Sequence, residues 1–190
     1  MKALLISANT ERLNMPTMPV GLACVAAATK HAGHDCSFLD LLQESNPCDA
    51  VKARIDAFGP EVIGISVRNI DDQSMQNPNF LLEQTRAVVE TCRAASPAPI
   101  VLGGAGYSLF PDAALAYLGA DYGVAGDGEE VFPALLECLA RKADPRTLPG
   151  VHVAGIPKLL EPTFAAELDA LPLPDESLWA GLNPATPDLW

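Results

Sequence analysis

Four short polar or glycine-rich segments each follow a buried apolar run, and their residue types are those that bind a ligand. Asn, Ser, Thr and Arg side chains offer hydrogen bonds, and clustered glycines let a large flat ligand or its tail approach the main chain. Glu129 follows Gly128 at a predicted helix start, where the helix dipole favours a carboxylate. The predicted ligand-binding residues are Asn9, Thr10, Ser66, Val67, Arg68, Asn69, Gly103, Gly104, Ala105, Gly106, Tyr107, Gly126, Asp127, Gly128 and Glu129.

The spacing of the cysteines and histidines does not indicate a metal centre or a nucleophile. The five cysteines form no C-x-x-C or C-x-x-x-C-x-x-C motif, so we predict neither a zinc site nor an iron–sulfur cluster held by this chain. His31 and His34 are expected to be solvated at the end of a helix, and His152 has no evident partner. Since no Ser/His/Asp or Cys/His pattern is present, we predict no catalytic residue and no metal ligand.

Phosphate-binding motifs are missing as well, and the composition excludes further classes of protein. Residues 103–106 do not continue into the Gly-Lys-Ser/Thr of a P-loop, and no G-x-G-x-x-G follows the first apolar run. The 12 Lys and Arg against 24 Asp and Glu give a net charge of −12, which argues against a nucleic-acid partner. No apolar run reaches the roughly 18 residues of a membrane span. A secretory signal pattern is also missing, so we expect a cytoplasmic protein.

The elements that must position the polar segments alternate between strand and helix. Apolar strand-like runs occupy residues 3–7, 36–39, 61–66, 99–102 and 122–125. Helical patterns occupy residues 19–32, 49–58, 77–92, 111–118 and 129–141. This alternation predicts an α/β fold with an open, doubly wound parallel sheet, which binds ligands beyond the carboxyl ends of its strands. The pattern leaves two strand orders open, 3-2-1-4-5 and 2-1-3-4-5.

The proline content changes after residue 144. Eight of the 17 prolines lie in residues 145–190, where we expect an edge hairpin from residues 150–154 and 158–160 and then an extended strap. The chain is therefore predicted to comprise a binding domain, residues 1–144, and a hairpin with a Pro-rich linker, residues 145–190.

Taken together, these segments resemble a known family. The stretches MPVGLACVAAATKHAGHDCSFLDL, PEVIGISVRNID and PIVLGGAGYSLFPDAALAYLGADYGVAGDGEE are similar to the N-terminal cobalamin (B12)-binding domain of B12-dependent radical S-adenosylmethionine (SAM) proteins. The closing LDALPLPDESLW resembles the strap that leads into their radical SAM barrel. The resemblance implies a flavodoxin-like, Rossmann-like sheet of five parallel strands in the order 2-1-3-4-5. The corrin ring would lie across the strand ends, with its nucleotide tail inserted between the sheet and the helices.

The resemblance also implies roles for three of the segments. Ser66 matches the family's tail-binding serine, and Gly103 and Gly104 match the double glycine past which the tail runs. Residues 126–129 match the loop that flanks the base of the tail.

Two departures from related cobalamin proteins bear on function. The D-x-H-x-x-G motif that supplies a lower ligand to cobalt is absent, because the matching stretch reads SANTERLN. Base-off cobalamin without a histidine ligand is therefore expected, with water or a side chain such as Asn9 or Arg68 toward its lower face. Without C-x-x-x-C-x-x-C, the chain cannot hold the 4Fe-4S cluster that cleaves S-adenosylmethionine.

The chain is consequently expected to be the cofactor module of a larger methyltransferase-like enzyme and not catalytic by itself. Its partner would be the C-terminal radical SAM domain of the same polypeptide, which would bring S-adenosylmethionine and the cluster. The sequence does not identify the small-molecule substrate. Two alternatives stay open: a Rossmann-like nucleotide-dependent transferase, and a non-catalytic protein-interaction domain.

Overall fold

The structure is a computed structural model that describes residues 1–11, 18–72, 75–76, 78–159 and 161–174. The β-strands within these ranges are β1 (Lys2–Ser7), β2 (Asp35–Asp40), β3 (Val62–Ser66), β4 (Ile100–Gly103), β5 (Tyr122–Val124) and β6 (Val151–Val153). The α-helices of the same ranges are α1 (Val20–His31), α2 (Pro47–Phe58), α3 (Leu82–Ala95), α4 (Ala105–Leu109), α5 (Pro111–Leu118) and α6 (Gly128–Ala140).

The strands form one sheet in the order β2-β1-β3-β4-β5-β6. Strands β1 to β5 run parallel, and β6 pairs antiparallel with β5 at the edge. The chain leaves β1 toward β2 and then returns past β1 to β3, so the crossover helices cover both faces of the sheet. The predicted flavodoxin-like, doubly wound fold is confirmed, and its strand order is 2-1-3-4-5.

Alternate residues of the strands build a separate core on each face of the sheet. Ile6 and Ile65 are register partners, and they pack in the cluster that includes residues of α2, α3 and α5. The neighbouring row consists of Leu5, Gly64 and Val101. The side chains of Leu5 and Val101 pack in the cluster that includes residues of α1 and α6. The sheet therefore separates two apolar layers, one with α2, α3 and α5 and the other with α1 and α6.

The third predicted helix begins later than the sequence indicated. Helix α3 starts at Leu82 because the residues before it form an isolated bridge between Asp71 and Phe80. Asn77, which was predicted to open this helix, lies outside the described residues. Across the described part of the chain, no helix combines the length and the apolar character needed to cross a membrane.

Helix α4 is an element that the sequence pattern did not predict. It follows β4 through Gly104, in a segment that was interpreted as an irregular ligand loop. The helix turns Tyr107 into the core, where its hydroxyl end fills the space beside Gly123 of β5. His152, the register partner of Gly123, is also buried, and its Nδ1 lies 2.7 Å from Asp112 Oδ1.

The chain after residue 144 returns to the sheet in two places. Strand β6 pairs antiparallel with β5 at the sheet edge, where the hairpin was predicted. After β6 the chain turns tightly, so that Val153 forms an antiparallel bridge with Ile156. The return pairing is thus at Ile156, before the predicted residues 158–160, of which residue 160 lies outside the described residues. Further on, Thr163 forms a parallel bridge with Gly126.

Only the first part of the predicted strap is described. Residues 161–174 are included, with a 3-10 turn at Leu168–Ala170, whereas residues 175–190 lie outside the described ranges. The division of the chain into residues 1–144 and 145–190 stays a prediction, although the described part of the second segment contacts the sheet edge closely.

Replacing Gly123 with alanine is expected to destabilise the fold. The added Cβ would overlap the hydroxyl of Tyr107, whose ring is fully buried. We expect a loss of about 2 kcal/mol in the free energy of unfolding, measured by chemical denaturation. Gly21→Ala is the matched control, because open space surrounds that helical position and alanine favours a helix. An unchanged denaturation midpoint for Gly123→Ala would contradict this packing.

Candidate functional site

A cleft of about 660 Å³ opens at the carboxyl ends of β1, β3, β4 and β5. It continues inward between the sheet and the helix pair α1 and α6, where Leu5, Val101 and Phe132 form its inner wall. Open α/β sheets bind their ligands beyond the carboxyl ends of the strands. The cleft therefore lies at the predicted edge of the sheet, and it extends into the helix layer.

The depth of the cleft comes from the last residue of each central strand. Ser7, Ser66 and Gly103 are register partners and form one row across the sheet. This row lies two residues beyond the row of Leu5, so it faces α1 and α6 as Leu5 does. A Cβ built on Gly103 would lie 3.7 Å from Val124 O, which is ordinary contact, so the position has room on its cleft side. Small residues at the strand ends thus leave the inner slot open.

The two helices of this face begin at the cleft. Helix α1 follows Pro19, which supplies no side-chain cap, and Gly21 in its first turn faces open space. Helix α6 begins at Gly128, where a Cβ would lie 2.9 Å from Val25 Cγ2 of α1. The first turns of both helices line the cleft. Close approach of α1 and α6 through Gly128 therefore sets the width of the slot.

The loops that follow β3 and β4 touch each other through main-chain atoms. Gly104 has a φ of 95°, and a Cβ there would lie 2.7 Å from Val67 O. A Cβ on Gly106 would lie 2.9 Å from Arg68 O. Side chains at these two positions would separate the loops. Contact between the two chain segments therefore requires glycine at positions 104 and 106, and Gly104 also lines the cleft.

The loop after β5 lies between α4 and the returning C-terminal segment. Gly126 N donates a hydrogen bond to Ser108 Oγ of α4 at 3.0 Å. On its other side, a Cβ on Gly126 would overlap the main chain of Thr163. Phe164, which follows Thr163 in the chain, lines the cleft and is 67% exposed. The C-terminal segment thus forms part of the cleft.

The cleft brings together most of the predicted binding residues. Those that line it are Asn9, Ser66, Arg68, Gly103, Gly104, Ala105, Gly126, Asp127, Gly128 and Glu129.

The other predicted binding residues lie elsewhere. Val67, Gly106 and Tyr107 are buried, because the β3 and β4 loops close on each other and α4 turns Tyr107 into the core. Thr10 and Asn69 line a smaller polar pocket, in which Thr10 hydrogen-bonds to a glutamine of α3. This pocket adjoins the cleft and shares part of its wall.

The cleft carries charges of opposite sign on different loops. Burial raises the pKa of Glu129 above its ordinary value, and the nearby carboxylate of Asp127 adds to the rise. Backbone hydrogen bonds from Gly128 and from Glu129 itself act in the opposite direction. Arg68 brings a guanidinium to the wall formed by the β3 loop. A ligand in the cleft would therefore meet one acidic and one basic wall.

None of the three histidines, all within the described ranges, lines the cleft. His31 ends α1, and His34 Nδ1 lies 3.2 Å from the terminal amine of Met1, close to the amino end of β1. His152 is buried in β6 against Asp112. No group of His, Cys, Asp and Glu among the described residues is arranged to hold a metal ion. The cleft thus offers no imidazole to a bound ligand.

Several residues of the cleft were not predicted from the sequence. Ser7 ends β1 on the cleft face. The alternation of side chains along β1 places Ser7 on the same face as Leu5, so this residue could have been predicted from the sequence. Met18 and Gly21 reach the cleft only because α1 packs beside α6, which no local pattern indicates. Phe164 comes from a segment interpreted as a linker. Contacts between distant parts of the chain explain these omissions.

Comparison with known proteins identifies the family. The family model described as the B12 binding domain matches residues 6–136. A curated relative, the tryptophan 2-C-methyltransferase of Streptomyces laurentii, is 30% identical over 148 residues, which cover 76% of this chain and 25% of the relative. The chain thus spans about a quarter of the length of this relative.

Solved structures agree with this assignment. TsrM, a radical SAM methyltransferase from Kitasatospora setae, matches in a structure with tryptophan and a SAM analogue and in another with cobalamin and a 4Fe-4S cluster. The TM-scores are 0.74 and 0.72 at 26% and 27% identity, and each match covers 79% of this chain and 28% of TsrM. OxsB, with aqua-cobalamin and S-adenosylmethionine bound, shares the fold, with a TM-score of 0.64 at 13% identity over 88% of this chain and 22% of OxsB. This chain belongs to the B12-binding domain family and is related to cobalamin-dependent radical S-adenosylmethionine enzymes.

Proposed function

We propose that this chain binds cobalamin in the cleft, base-off and without a histidine ligand, as the cofactor module of a B12-dependent radical SAM enzyme. The observation that carries the proposal is the open row of Ser7, Ser66 and Gly103, which extends the cleft from the strand ends to the space under α1 and α6. A cofactor that has a flat ring and a long tail needs both an open edge and an inner slot.

The residues of the cleft fit both parts of such a cofactor. Gly103 presents no side chain on the sheet wall of the slot, so a tail can lie against the end of β4. Met18, Val20 and Phe164 supply apolar surface suited to the edge of a macrocycle.

When bound, cobalamin would supply a cobalt centre that carries a methyl group. The residues of this chain would bind and orient the cofactor. Ser66 would offer its hydroxyl to the tail, and residues 126–129 would flank the base of the tail. Asn9, Arg68 or water would face the lower side of the ring. An arginine there would fill space without ligating cobalt, because a guanidinium has no lone pair to donate.

The remaining part of the proposal concerns the whole protein. The tryptophan 2-C-methyltransferase and TsrM are about four times as long as the matched segment. We infer that a C-terminal radical SAM domain of the same polypeptide supplies S-adenosylmethionine, the 4Fe-4S cluster and the substrate contacts. The chain would then hold the cofactor for methyl transfer or related radical chemistry, in the cytoplasm, and would not be catalytic alone.

A side chain added at Gly103 is expected to fill the slot and weaken the binding of the cofactor tail. In Gly103→Val, two methyl groups would project into the open row, whereas a strand end tolerates valine well. We expect hydroxocobalamin to bind at least about tenfold more weakly to this variant in an equilibrium titration. The unmodified chain should retain corrin absorbance through desalting.

The matched control for this variant is Ala57→Val, which adds the same two γ-methyl carbons, without the Cβ, on an exposed position of α2, far from the cleft. Its affinity for hydroxocobalamin should equal that of the unmodified chain. Equal affinity of Gly103→Val and the unmodified chain would show that the tail does not use this slot.

The absence of an imidazole from the cleft predicts the spectrum of the loaded chain. After one-electron reduction of bound hydroxocobalamin, the EPR spectrum of Co(II) should show no nitrogen superhyperfine triplets. Triplets that become doublets when histidine is labelled with ¹⁵N would reveal a histidine ligand. Triplets that ignore this label would show that the cofactor's own base stays coordinated. Either result would contradict the base-off, histidine-free state.

A further inference from the structure

A segment outside the B12-binding family match completes the cleft. The match ends at residue 136, whereas Thr163 and Phe164 follow β6. Phe164 lines the cleft. Leu159 and Leu168, which are exposed on the same segment, are not among the lining residues. One aromatic side chain of the segment is thus singled out by its position.

Hydrogen bonds on both sides of Phe164 hold its backbone in place. Thr163 N donates to Ala125 O at 3.2 Å, and Asp127 N donates to Thr163 O at 2.7 Å. Ala165 N donates to Asp127 Oδ2 at 3.0 Å. The segment is therefore fixed to the β5 loop immediately before and after Phe164.

Two glycines allow this close contact. A Cβ on Gly126 would overlap the main chain of Thr163, and a Cβ on Gly150 would lie 2.7 Å from Thr163 Oγ1. Because the Thr163 side chain lies against Gly150, the next side chain in the extended segment points to the opposite side. That side is the cleft, which Phe164 lines.

Phe164 is 67% exposed, although its backbone is fixed by hydrogen bonds. An exposed aromatic ring on a fixed backbone gains apolar contact when a ligand covers it, and only its two side-chain torsions lose freedom. This arrangement suits a ligand that brings an apolar, planar edge to the mouth of the cleft.

We propose that Phe164 is a cofactor-binding residue, whose ring packs against cobalamin in the cleft, and that Gly126 and Thr163 position it. This inference rests on the proposed function and adds a residue beyond the matched family domain. It also makes the segment after β6 a part of the cofactor site.

Titration of the 190-residue chain with hydroxocobalamin tests the role of Phe164. Phe164→Ala is expected to bind about tenfold more weakly, and Phe164→Leu to lose less, because leucine keeps part of the apolar contact. The thermal midpoint of the unliganded Phe164→Ala variant should stay unchanged, since the ring is mostly exposed without ligand. Leu168→Ala, at a position 70% exposed on the same segment, is the control and should bind as the unmodified chain does.

The possible results separate the inference from the proposed function. Weaker binding by Phe164→Ala with normal binding by Leu168→Ala supports the inference. Equal affinity of Phe164→Ala and the unmodified chain overturns it and leaves cobalamin binding intact. If the unmodified chain binds no hydroxocobalamin, the proposed function fails, and the inference fails with it. A Phe164→Ala variant that loses both affinity and thermal stability also overturns the inference, unless Phe164→Leu restores stability and stays weaker in binding.

Discussion

The cleft depends on a steric constraint in the sheet: the last side chain of each central strand on the α1 and α6 face must be small. Parallel register aligns Ser7, Ser66 and Gly103 in one row, so a single large residue there would close the slot for all three strands. The opposite face has no such requirement, and Ile65 fills it up to the strand end. The face covered by α2, α3 and α5 is therefore packed up to the strand ends, whereas the face covered by α1 and α6 has both a packed core and the cleft. The site is a gap in the packing of an otherwise ordinary α/β domain.

The glycines around the cleft have two different physical roles. Gly103 keeps the slot open, whereas Gly104 and Gly126, both with a φ of 95°, allow main chains to touch. The second role matters for the site because it brings the β3, β4 and β5 loops together with α4 and the segment after β6. Ser108 adds to this by bonding to both Gly104 O and Gly126 N. The mouth of the cleft is thus a set of mutually supported loops, which is the preorganisation that tight binding of a large cofactor needs.

The sequence predicted those features that arise from local pattern and from one general rule. The alternation of strands and helices gave the fold class, and the carboxyl-end rule brought Asn9, Ser66 and residues 126–129 to one edge. The strand order could be predicted only from the family resemblance, because no local sequence pattern shows the direction in which the chain crosses from one strand to the next. Tyr107 was predicted as a ligand residue and is buried, since the space it fills is created by Gly123 in a distant strand. Phe164 was missed for the same reason: its position depends on bonds to a loop far away in the sequence.

From membership of the B12-binding domain family and the geometry of the cleft, we propose that cobalamin occupies the slot between the sheet and the pair α1 and α6. Hydrogen–deuterium exchange with and without hydroxocobalamin tests it most directly, because it reports on each segment of the unlabelled chain. We expect slower exchange with ligand in residues 18–25, 101–108, 124–132 and 161–165, and no change in α2. Protection confined to α2 and α3, or equal exchange throughout the chain with ligand present, would contradict it.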